Sequence, residues 1–454
     1  MALQSGKSEP VKSQCQGLTF TDAVALFPDE ATAINQYGAF THRFVASGYP
    51  SSGRTRALFL RPRTLRPRKW MCMCQLIVAA LLLVTTSEAA GRNGTFVQQV
   101  RHPTGDNIPS RTELASYVGL ESVSTEERSL GAAAEWLSGA NEVLRIGVSD
   151  GELYEMFGQI EDVAVNGDGD IFVLDYQHKI VFVYHSDGSF KHSIGGPGAG
   201  PGEFEFPRAI GIDDQDRVIV ADSKLRISIF DPHDGAFALN STLTLAYSPK
   251  DMCIGDGMIY LSGAWHEQES RYVHSYTIDG EHVRSFGELY ESSVPLFRQG
   301  LSYGPLSCGK EAESVQYMFG WLPVIHNYSK TGERHWTSMF ADFDPSGVVS
   351  YGDSEVRYED QDKAFDTVSN IVAASANHVI VQIKHITPES REARLPYDRI
   401  NTYVFALHSG DGVYVGDSFP QIHAVQRNRI YAVSSAPFPQ VVVYETDSAL
   451  APEK

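Results

Sequence analysis

Residues 195–235 read GGPGAGPGEFEFPRAIGIDDQDRVIVADSKLRISIFDPHDG, a glycine-rich loop followed by three short runs of alternating apolar residues. Pro207 begins the first run, where the absence of a backbone N–H disturbs a sheet least. Apolar residues then recur at every second position, as is typical of a half-buried strand, and polar turns separate the runs. A small antiparallel sheet of this kind cannot bury its apolar faces alone, so the pattern predicts further copies along the chain.

Related segments lie on both sides of this stretch, with the same order of alternating runs and turns. The predicted units cover residues 160–195, 195–235, 249–287, 305–340, 370–415 and 421–444. The first three units match one another well, and the last three are fainter. Units of about 40–50 residues, each with about four short strands, predict an all-β fold, a six-bladed β-propeller of four-stranded antiparallel blades.

The sixth unit has only three strands before the repeat pattern ends. Residues 142–148 align with the strand that closes the first full unit, so we expect this N-terminal strand to complete the sixth blade. Such a closure leaves the ring without free sheet edges. We therefore expect the propeller at 142–447 and a tail at 448–454. An N-terminal extension at 91–141, with a helix-like pattern in 125–137, would pack against the side or mouth of the propeller.

An apolar run, QLIVAALLLVTT at residues 75–86, follows a basic segment and precedes small residues. This arrangement is typical of a secretory signal peptide, which we place at residues 71–90. Because the run is short for a membrane span of about 20 residues, we expect export to the periplasm or the medium. A membrane anchor formed by the same segment is the alternative. With a signal peptide, residues 1–70 would be a disordered basic extension or lie before the true start codon; with an anchor, they would be cytoplasmic.

The formal net charge of −19 argues against binding of nucleic acid or of an anionic membrane by bulk charge. We expect a monomer whose partner is another protein or a small ligand. Of the five cysteines, only Cys253 and Cys308 lie in the expected mature part. Two cysteines make no disulfide framework and match no metal motif, so we expect buried thiols, with a single bridge as the alternative.

The opening stretch resembles the NHL repeat, in which a glycine-rich loop and a proline precede apolar strands of the types GIAVD, IYVAD and RIQVFD. The corresponding segments here are GPGAGPGEFEFPRAIGID, VIVAD and RISIFD. Over residues 142–447 the chain is similar to exported six-bladed β-propeller proteins of bacteria. The resemblance implies the fold. Members serve as protein-binding modules or ligand binders, and relatives include metal-dependent lactonases and lyases.

Polar residues stand just before the first strand of five units, and the first strands line the central channel of a propeller. The residues predicted to ring one mouth of the channel are Glu161, Arg208, Lys250, Asn370 and Gln421, with Gly304 at the corresponding place in the fourth unit. Arg208 and Lys250 would offer positive charge on an acidic protein and would suit an anionic ligand or a partner's carboxylate. The alternative is ordinary polar decoration of a solvent-filled opening.

Other motifs favour structural roles. The glycine-rich loop leads into a strand and lacks a following Lys-Ser/Thr, so we interpret it as a crossing between blades rather than a phosphate loop. Residues 166–170 resemble half of a calcium loop but lack its glycine and bidentate glutamate, which favours a hairpin turn. Asp175 and Asp222 end equivalent strands. This position favours the interpretation that their carboxylates accept hydrogen bonds from backbone N–H groups of the following turns. The alternative is that they line a ligand-binding face.

The leading hypothesis is an exported, non-enzymatic propeller that binds a protein partner or small ligand at the channel mouth. The sequence contains no closely spaced pair of histidines, and no Ser–His–Asp set can be singled out, so it predicts no catalytic or cofactor-binding residues. The alternative is a metal-dependent hydrolase or lyase of the lactonase kind. It would need Ca²⁺ or Zn²⁺ bound by residues from different blades, where the candidate histidines include His266, His326, His335 and His423.

Overall fold

The structure is a computed structural model. It describes residues 127–264, 271–290, 295–309, 313–340, 343–345, 348–351, 355–358, 362–393 and 395–450. The expected extension at 1–70 and signal peptide at 71–90 lie outside the described residues, as does most of 91–141. In the part of the chain that is described, no helix has the length and apolar character needed to cross a membrane.

Helix α1 (Glu127–Ser138) and strand β1 (Asn141–Ile146) precede the first three blades. Blade 1 contains β2 (Ile160–Val165), β3 (Ile171–Asp175), β4 (Ile180–Tyr184) and β5 (Phe190–Ile194). Blade 2 contains β6 (Pro207–Ile212), β7 (Val218–Asp222), β8 (Arg226–His233) and β9 (Ala236–Thr244). Blade 3 contains β10 (Asp251–Gly255), β11 (Met258–Ser262), β12 (Arg271–Thr277) and β13 (His282–Glu288).

Helix α2 (Pro295–Ser302) leads into blade 4, with β14 (Leu306–Cys308), β15 (Ser314–Met318), β16 (Val324–Ser329) and β17 (Arg334–Met339). A separate hairpin follows, formed by β18 (Val348–Tyr351) and β19 (Glu355–Tyr358). Blade 5 contains β20 (Phe365–Ala373), β21 (His378–Ile386), helix α3 (Pro388–Glu392), β22 (Arg399–Ala406) and β23 (Gly412–Gly416). The last three strands are β24 (Gln421–Gln426), β25 (Arg429–Ser434) and β26 (Gln440–Glu445).

The first strand of each unit is the innermost strand of its blade. Going round the molecule, β2, β6, β10, β14, β20 and β24 contact one another in turn, and β24 contacts β2 again, so the blades form a closed ring. Blade 6 has the order β1-β26-β25-β24, with Ile146 of β1 opposite Val441 of β26. The predicted all-β fold, a six-bladed propeller of four-stranded antiparallel blades, is confirmed.

The second strands are apolar without alternation because neighbouring blades cover both of their faces. Every residue of β3 (IFVLD) and of β7 (VIVAD) is buried. In the seam between blades 1 and 2, Phe172 and Leu174 of β3 belong to the same apolar cluster as Val218 and Val220 of β7. The continuous apolar runs are therefore the parts of each unit that hold the ring together.

The glycine-rich loop crosses from blade 1 to blade 2 and inserts Phe204, which is fully buried, into the seam. Gly195 has φ +77°, and a Cβ at this position would lie 2.2 Å from Cε2 of the Phe204 ring. Only glycine therefore combines this left-handed conformation with such a close approach. The loop is a packed crossing, and its glycines allow the backbone to pass over an aromatic ring.

Helix α1 lies against the outer strands of blade 5. Its buried face consists of Leu130, Ala133 and Leu137, which share an apolar cluster with Val404 of β22 and Phe419. The indole Nε1 of Trp136 donates a hydrogen bond of 2.8 Å to the carbonyl oxygen of Ser448. The described end of the N-terminal extension is therefore packed on the side of the propeller.

Cys253 on β10 and Cys308 on β14 form a disulfide, with their Cα atoms 5.8 Å apart. The expectation of two separate thiols is wrong, and the alternative of a single bridge is the one observed. The bridge joins the inner strands of blades 3 and 4, near one end of the short β14. The 55-residue separation follows no spacing motif, which is why the pairing was not predicted.

Candidate functional site: the channel mouth

A β-bulge interrupts the inner strand in blades 1, 2, 5 and 6, near the start of the strand in blades 1, 2 and 6 and in its middle in blade 5. A bulge leaves one extra residue out of the ladder and changes the direction of its side chain. The extra residues are Glu161, Arg208, Ser369 and His423. Lys250, directly before β10, has the corresponding place in blade 3. These five residues define the channel mouth.

The predicted residues Glu161 and Arg208 are the bulge residues of blades 1 and 2, whereas the predicted residues of blades 5 and 6 are not bulge residues. Asn370 follows the bulge residue Ser369, and Gln421 stands two positions before His423. In blade 4 the place belongs to Gly304, where a Cβ would lie 1.8 Å from the carbonyl oxygen of Met318. Any side chain here would collide with the second strand of the blade, so blade 4 contributes backbone only.

Glu161 and Arg208 form an ion pair between blades 1 and 2. The distance from Nη1 of Arg208 to Oε1 of Glu161 is 2.7 Å, and the side chains are only 8% and 16% exposed for Arg208 and Glu161. Burial lowers the pKa of Arg208, but Glu161, Tyr303 and Tyr176 together outweigh this effect and the pKa is raised. Arg208 therefore stays charged, and Glu161 offsets part of the positive charge expected at the mouth.

Two further contacts hold the Arg208 side chain in place. Its Nε donates a hydrogen bond of 3.3 Å to Oγ of Ser223, and its guanidinium lies 5.0 Å from the ring centre of Tyr176. In the residues that the structure describes, Nη2 of Arg208 has no hydrogen-bond partner. One edge of the guanidinium is thus anchored, and its other N–H groups remain for a ligand.

Lys250 differs from Arg208 because no carboxylate of the described residues forms a salt bridge with it. Its Nζ lies 5.6 Å from the ring centre of Tyr303, a residue just after helix α2. Burial, and then the positive charge of Arg208, lower the pKa of Lys250 to about 8. Lys250 is therefore a partly buried amine that lies beside the fixed cation Arg208 and the aromatic ring of Tyr303.

The residue that follows the mouth position ties each odd-numbered blade to the next one. The hydrogen-bonded pairs are Asp162 with Ile210 at 2.9 Å, Asp251 with Leu306 at 2.7 Å and Asn370 with Ile422 at 2.7 Å. The two aspartates accept from backbone N–H groups, whereas the Asn370 amide donates to a carbonyl oxygen. Because its Oδ1 accepts from the N–H of Ile371, the Asn370 side chain is already engaged at both ends.

His423 links blade 6 to blade 1. Its Nδ1 lies 2.9 Å from Oδ1 of Asp162, and its side chain is 4% exposed. Asp162 consequently links blade 1 to blade 2 through Ile210 and to blade 6 through His423. These contacts occupy the Asp162 carboxylate, which therefore helps to hold the residues of the channel mouth in place.

Asp251 lies beside the other two acids of this ring. Burial, and then the nearby Asp162 carboxylate, raise the pKa of Asp251 to about 7. Its Oδ1 accepts from the N–H of Met252 and its Oδ2 from the N–H of Leu306, at 2.8 and 2.7 Å. The protonated carboxyl group keeps these contacts and avoids repulsion by Asp162.

Asp251 should make the protein less stable as pH rises from about 4 to about 7. An aspartate in the unfolded chain loses its proton near pH 3.9, whereas folded Asp251 keeps it to about 7, so the native state binds more protons in this window. We expect a loss of about 3 kcal/mol, measured by urea unfolding at both pH values. Asp251→Asn cannot titrate and should lose less. An equal loss in both proteins would refute the assignment.

The remaining acidic candidates have structural contacts. Asp175 is fully buried and accepts from the N–H groups of Gly158 and His178 at 2.8 and 2.9 Å. Oδ1 of Asn166 accepts from the N–H groups of Asp168 and Asp170, as a hairpin turn requires. These residues stabilise turns.

The candidate histidines that the structure describes do not come together. His326 hydrogen bonds Thr337 through Nδ1 at 2.8 Å, between the third and fourth strands of blade 4, and His274 makes the same bond to Ser285 in blade 3. His335 is exposed on β17, and His266 lies outside the described residues. Among the residues described, no three of His, Cys, Asp and Glu are grouped so that they could hold a metal ion. The calcium or zinc site of the alternative hypothesis stays a prediction.

Comparison with known proteins gives the same fold. Residues 155–288 match the family model described as DUF5128, 6-bladed beta-propeller, and the resemblance to six-bladed NHL-like propellers is thereby confirmed. No curated protein matches the chain.

Three solved structures illustrate the similarity. A member of the DUF4221 family from Bacteroides vulgatus is 9% identical, with 68% of this chain and 98% of that chain covered and a TM-score of 0.43. Virginiamycin B lyase from Staphylococcus aureus is 11% identical, with 66% and 98% covered and a TM-score of 0.38. BamB from Moraxella catarrhalis is 15% identical, with 67% and 99% covered and a TM-score of 0.35. Similarities of this size say nothing about function.

Proposed function

We propose that this propeller is an exported, non-enzymatic binding protein that holds the carboxylate of a small ligand at the channel mouth. The observation that carries the proposal is Lys250, a partly buried ammonium group without a salt bridge to any described carboxylate. A buried charge is costly unless it is paired, so a site of this kind favours an anionic ligand. Nη2 of Arg208 supplies further donors for the same carboxylate.

The surroundings of these two cations suit a small organic molecule. Tyr176 and Tyr303 place aromatic rings beside Arg208 and Lys250, at 5.0 and 5.6 Å. Small-molecule sites combine apolar walls with a few fixed polar groups that set the orientation of the ligand. The Glu161–Arg208 pair provides this fixed group, because Arg208 is held before any ligand arrives.

The disulfide supports the exported location. Disulfides persist in oxidising compartments and are rare in reducing ones, and Cys253–Cys308 joins two inner strands of the ring. A signal peptide at residues 71–90 would deliver the chain there. That segment lies outside the described residues, and its role stays a prediction.

The proposal predicts that small carboxylates stabilise the protein through Lys250. Succinate at about 100 times its Kd should add about 2.7 kcal/mol, or about 4 °C in Tm for a domain of this size. Lys250→Met should abolish the gain, whereas Lys250→Arg should keep most of it. The measurement is a thermal melt with succinate or pyruvate at constant ionic strength.

Lys330→Met is the matched control. Lys330 pairs with Asp256 at 2.9 Å, and both side chains are about half exposed. Asp256 follows the opposite end of β10 from Lys250. Its loss should leave the response to succinate unchanged. A gain in Tm that is equal in wild type and Lys250→Met, or no gain with either acid in wild type, would contradict the proposal.

A further inference from the structure

We infer that Lys250 is a reactive amine, which forms a reversible imine with an aldehyde or ketone group of a ligand that also carries a carboxylate. This inference rests on the proposed function, because binding of the carboxylate would hold the carbonyl carbon close to Nζ. It goes beyond that function by naming the ligand class, an oxo acid, and a covalent step.

The first argument is the cation next to Lys250, because Arg208 on β6 and Lys250 directly before β10 have corresponding places in inner strands that contact each other. Arg208 is fixed by Glu161, Ser223 and Tyr176 and stays positively charged. A lysine beside a permanent cation, in a partly desolvated place, has more of the neutral amine that attacks carbonyl groups. The pKa of about 8 for Lys250 agrees with this geometry.

The second argument is that the neighbouring acids have other partners. Glu161 on β2 is bonded to Arg208, and Asp162 on the same strand is bonded to His423 and Ile210. Asp251, which follows Lys250, accepts two backbone N–H bonds. These carboxyl groups are held in place by their own contacts, and none of the described carboxylates forms a salt bridge with Lys250.

The chemistry needs no oxidant, reductant or metal. The lone pair on Nζ attacks the carbonyl carbon, the π electrons of C=O move to oxygen, and a proton passes from nitrogen to oxygen to give a carbinolamine. Loss of water then forms the C=N bond, and hydrolysis reverses both steps. During these steps the free N–H groups of Arg208 can hold the carboxylate, which leaves Lys250 available for the carbonyl.

The test is reductive trapping with glyoxylate and cyanoborohydride, which converts an imine at Lys250 into a stable carboxymethyl amine. At about pH 7 an amine of pKa about 8 is far more often neutral than one of the ordinary pKa of about 10.4. Allowing for the lower nucleophilicity of a less basic amine, we expect Lys250 to be labelled about tenfold faster than Lys330. Peptide mapping by mass spectrometry measures both sites in the same sample.

Two variants separate reactivity from binding. Lys250→Arg keeps the positive charge but has no primary amine, so it should lose the adduct at this position and keep the stabilisation by succinate. Arg208→Met removes the neighbouring cation, so labelling of Lys250 at about pH 7 should fall. The pH at which the labelling rate reaches half of its maximum, the midpoint, should move to a higher value. A midpoint that does not move would overturn the role given to Arg208.

Failure of the inference and failure of the proposed function give different results. If succinate stabilises the protein through Lys250 but Lys250 is labelled no faster than Lys330, the imine is refuted and carboxylate binding stands. If Lys250 is labelled selectively but no carboxylate stabilises the protein, the reactive amine is supported and the binding function is refuted.

Discussion

Removal of the disulfide by the double substitution Cys253→Ser, Cys308→Ser should lower the free energy of unfolding by about 4 kcal/mol. The bridge closes a loop between residues 55 positions apart, and in the chain-entropy model a loop of this length restricts the unfolded chain by about this amount. The bridge joins β10 to β14, and β14 has only three residues. Few backbone bonds otherwise hold this inner strand, so the loss should be felt in blade 4. Urea unfolding at neutral pH measures the difference.

Reduction of the wild-type protein provides the control for this double variant. A thiol reductant should lower the stability of the wild type to that of the variant and leave the variant unchanged. Hydrogen exchange should increase in β10 and β14 more than in β2 and β24, which belong to other blades. Equal stability of reduced and oxidised wild-type protein would show that the bridge contributes nothing.

The fold could be predicted because the propeller repeats its physical requirements in every unit. Both faces of a second strand are covered by neighbouring blades, which demands continuous apolar runs such as IFVLD and VIVAD. Turns rich in aspartate and glycine then separate the runs at nearly constant spacing. The N-terminal helix and the strand beside β26 could also be predicted from the sequence, because each buries one apolar face and therefore has a periodic apolar pattern.

The channel mouth was harder to predict because it depends on bulges. A bulge adds one residue without changing the apolar pattern that follows, so counting back from the first apolar residue pointed to Asn370 and Gln421 rather than to the bulge residues Ser369 and His423. In blade 5 the inner strand is nine residues long, and the bulge lies inside it, at Ser369. Tyr303 comes from the segment after α2, and no repeat pattern points to it.

Comparing equivalent positions of neighbouring units would have identified two contacts that strand patterns did not. Glu161 and Arg208 have opposite charges at the same place in consecutive units, and the ring brings such places together. Cys253 and Cys308 both belong to inner strands of consecutive units. Residues at equivalent positions of adjacent repeats are therefore expected to lie close together. Where their side chains are complementary, an ion pair or a disulfide is expected between them.

Substitution of Asp222 tests whether the aspartates that end the second strands are structural. Asp222 is 1% exposed, and its carboxylate accepts from the backbone N–H groups of Glu205, Phe206 and Lys224. These bonds attach the crossing loop, with Phe206 at its end, to the start of the blade. Asp222→Ala would leave three N–H groups without acceptors, each costing about 1–3 kcal/mol. We expect a total loss of about 5 kcal/mol, measured by urea unfolding.

Asp222→Asn is the matched variant, because the amide oxygen still accepts hydrogen bonds while the NH₂ group faces a donor. It should lose about half as much as Asp222→Ala. The alternative interpretation of Asp222, as a carboxylate that faces a ligand, requires the opposite result. An uncompensated acid bound to no backbone group would be costly in the free protein, so its removal would leave stability unchanged or raise it. The sign of the change in unfolding free energy therefore separates a loop anchor from a ligand contact.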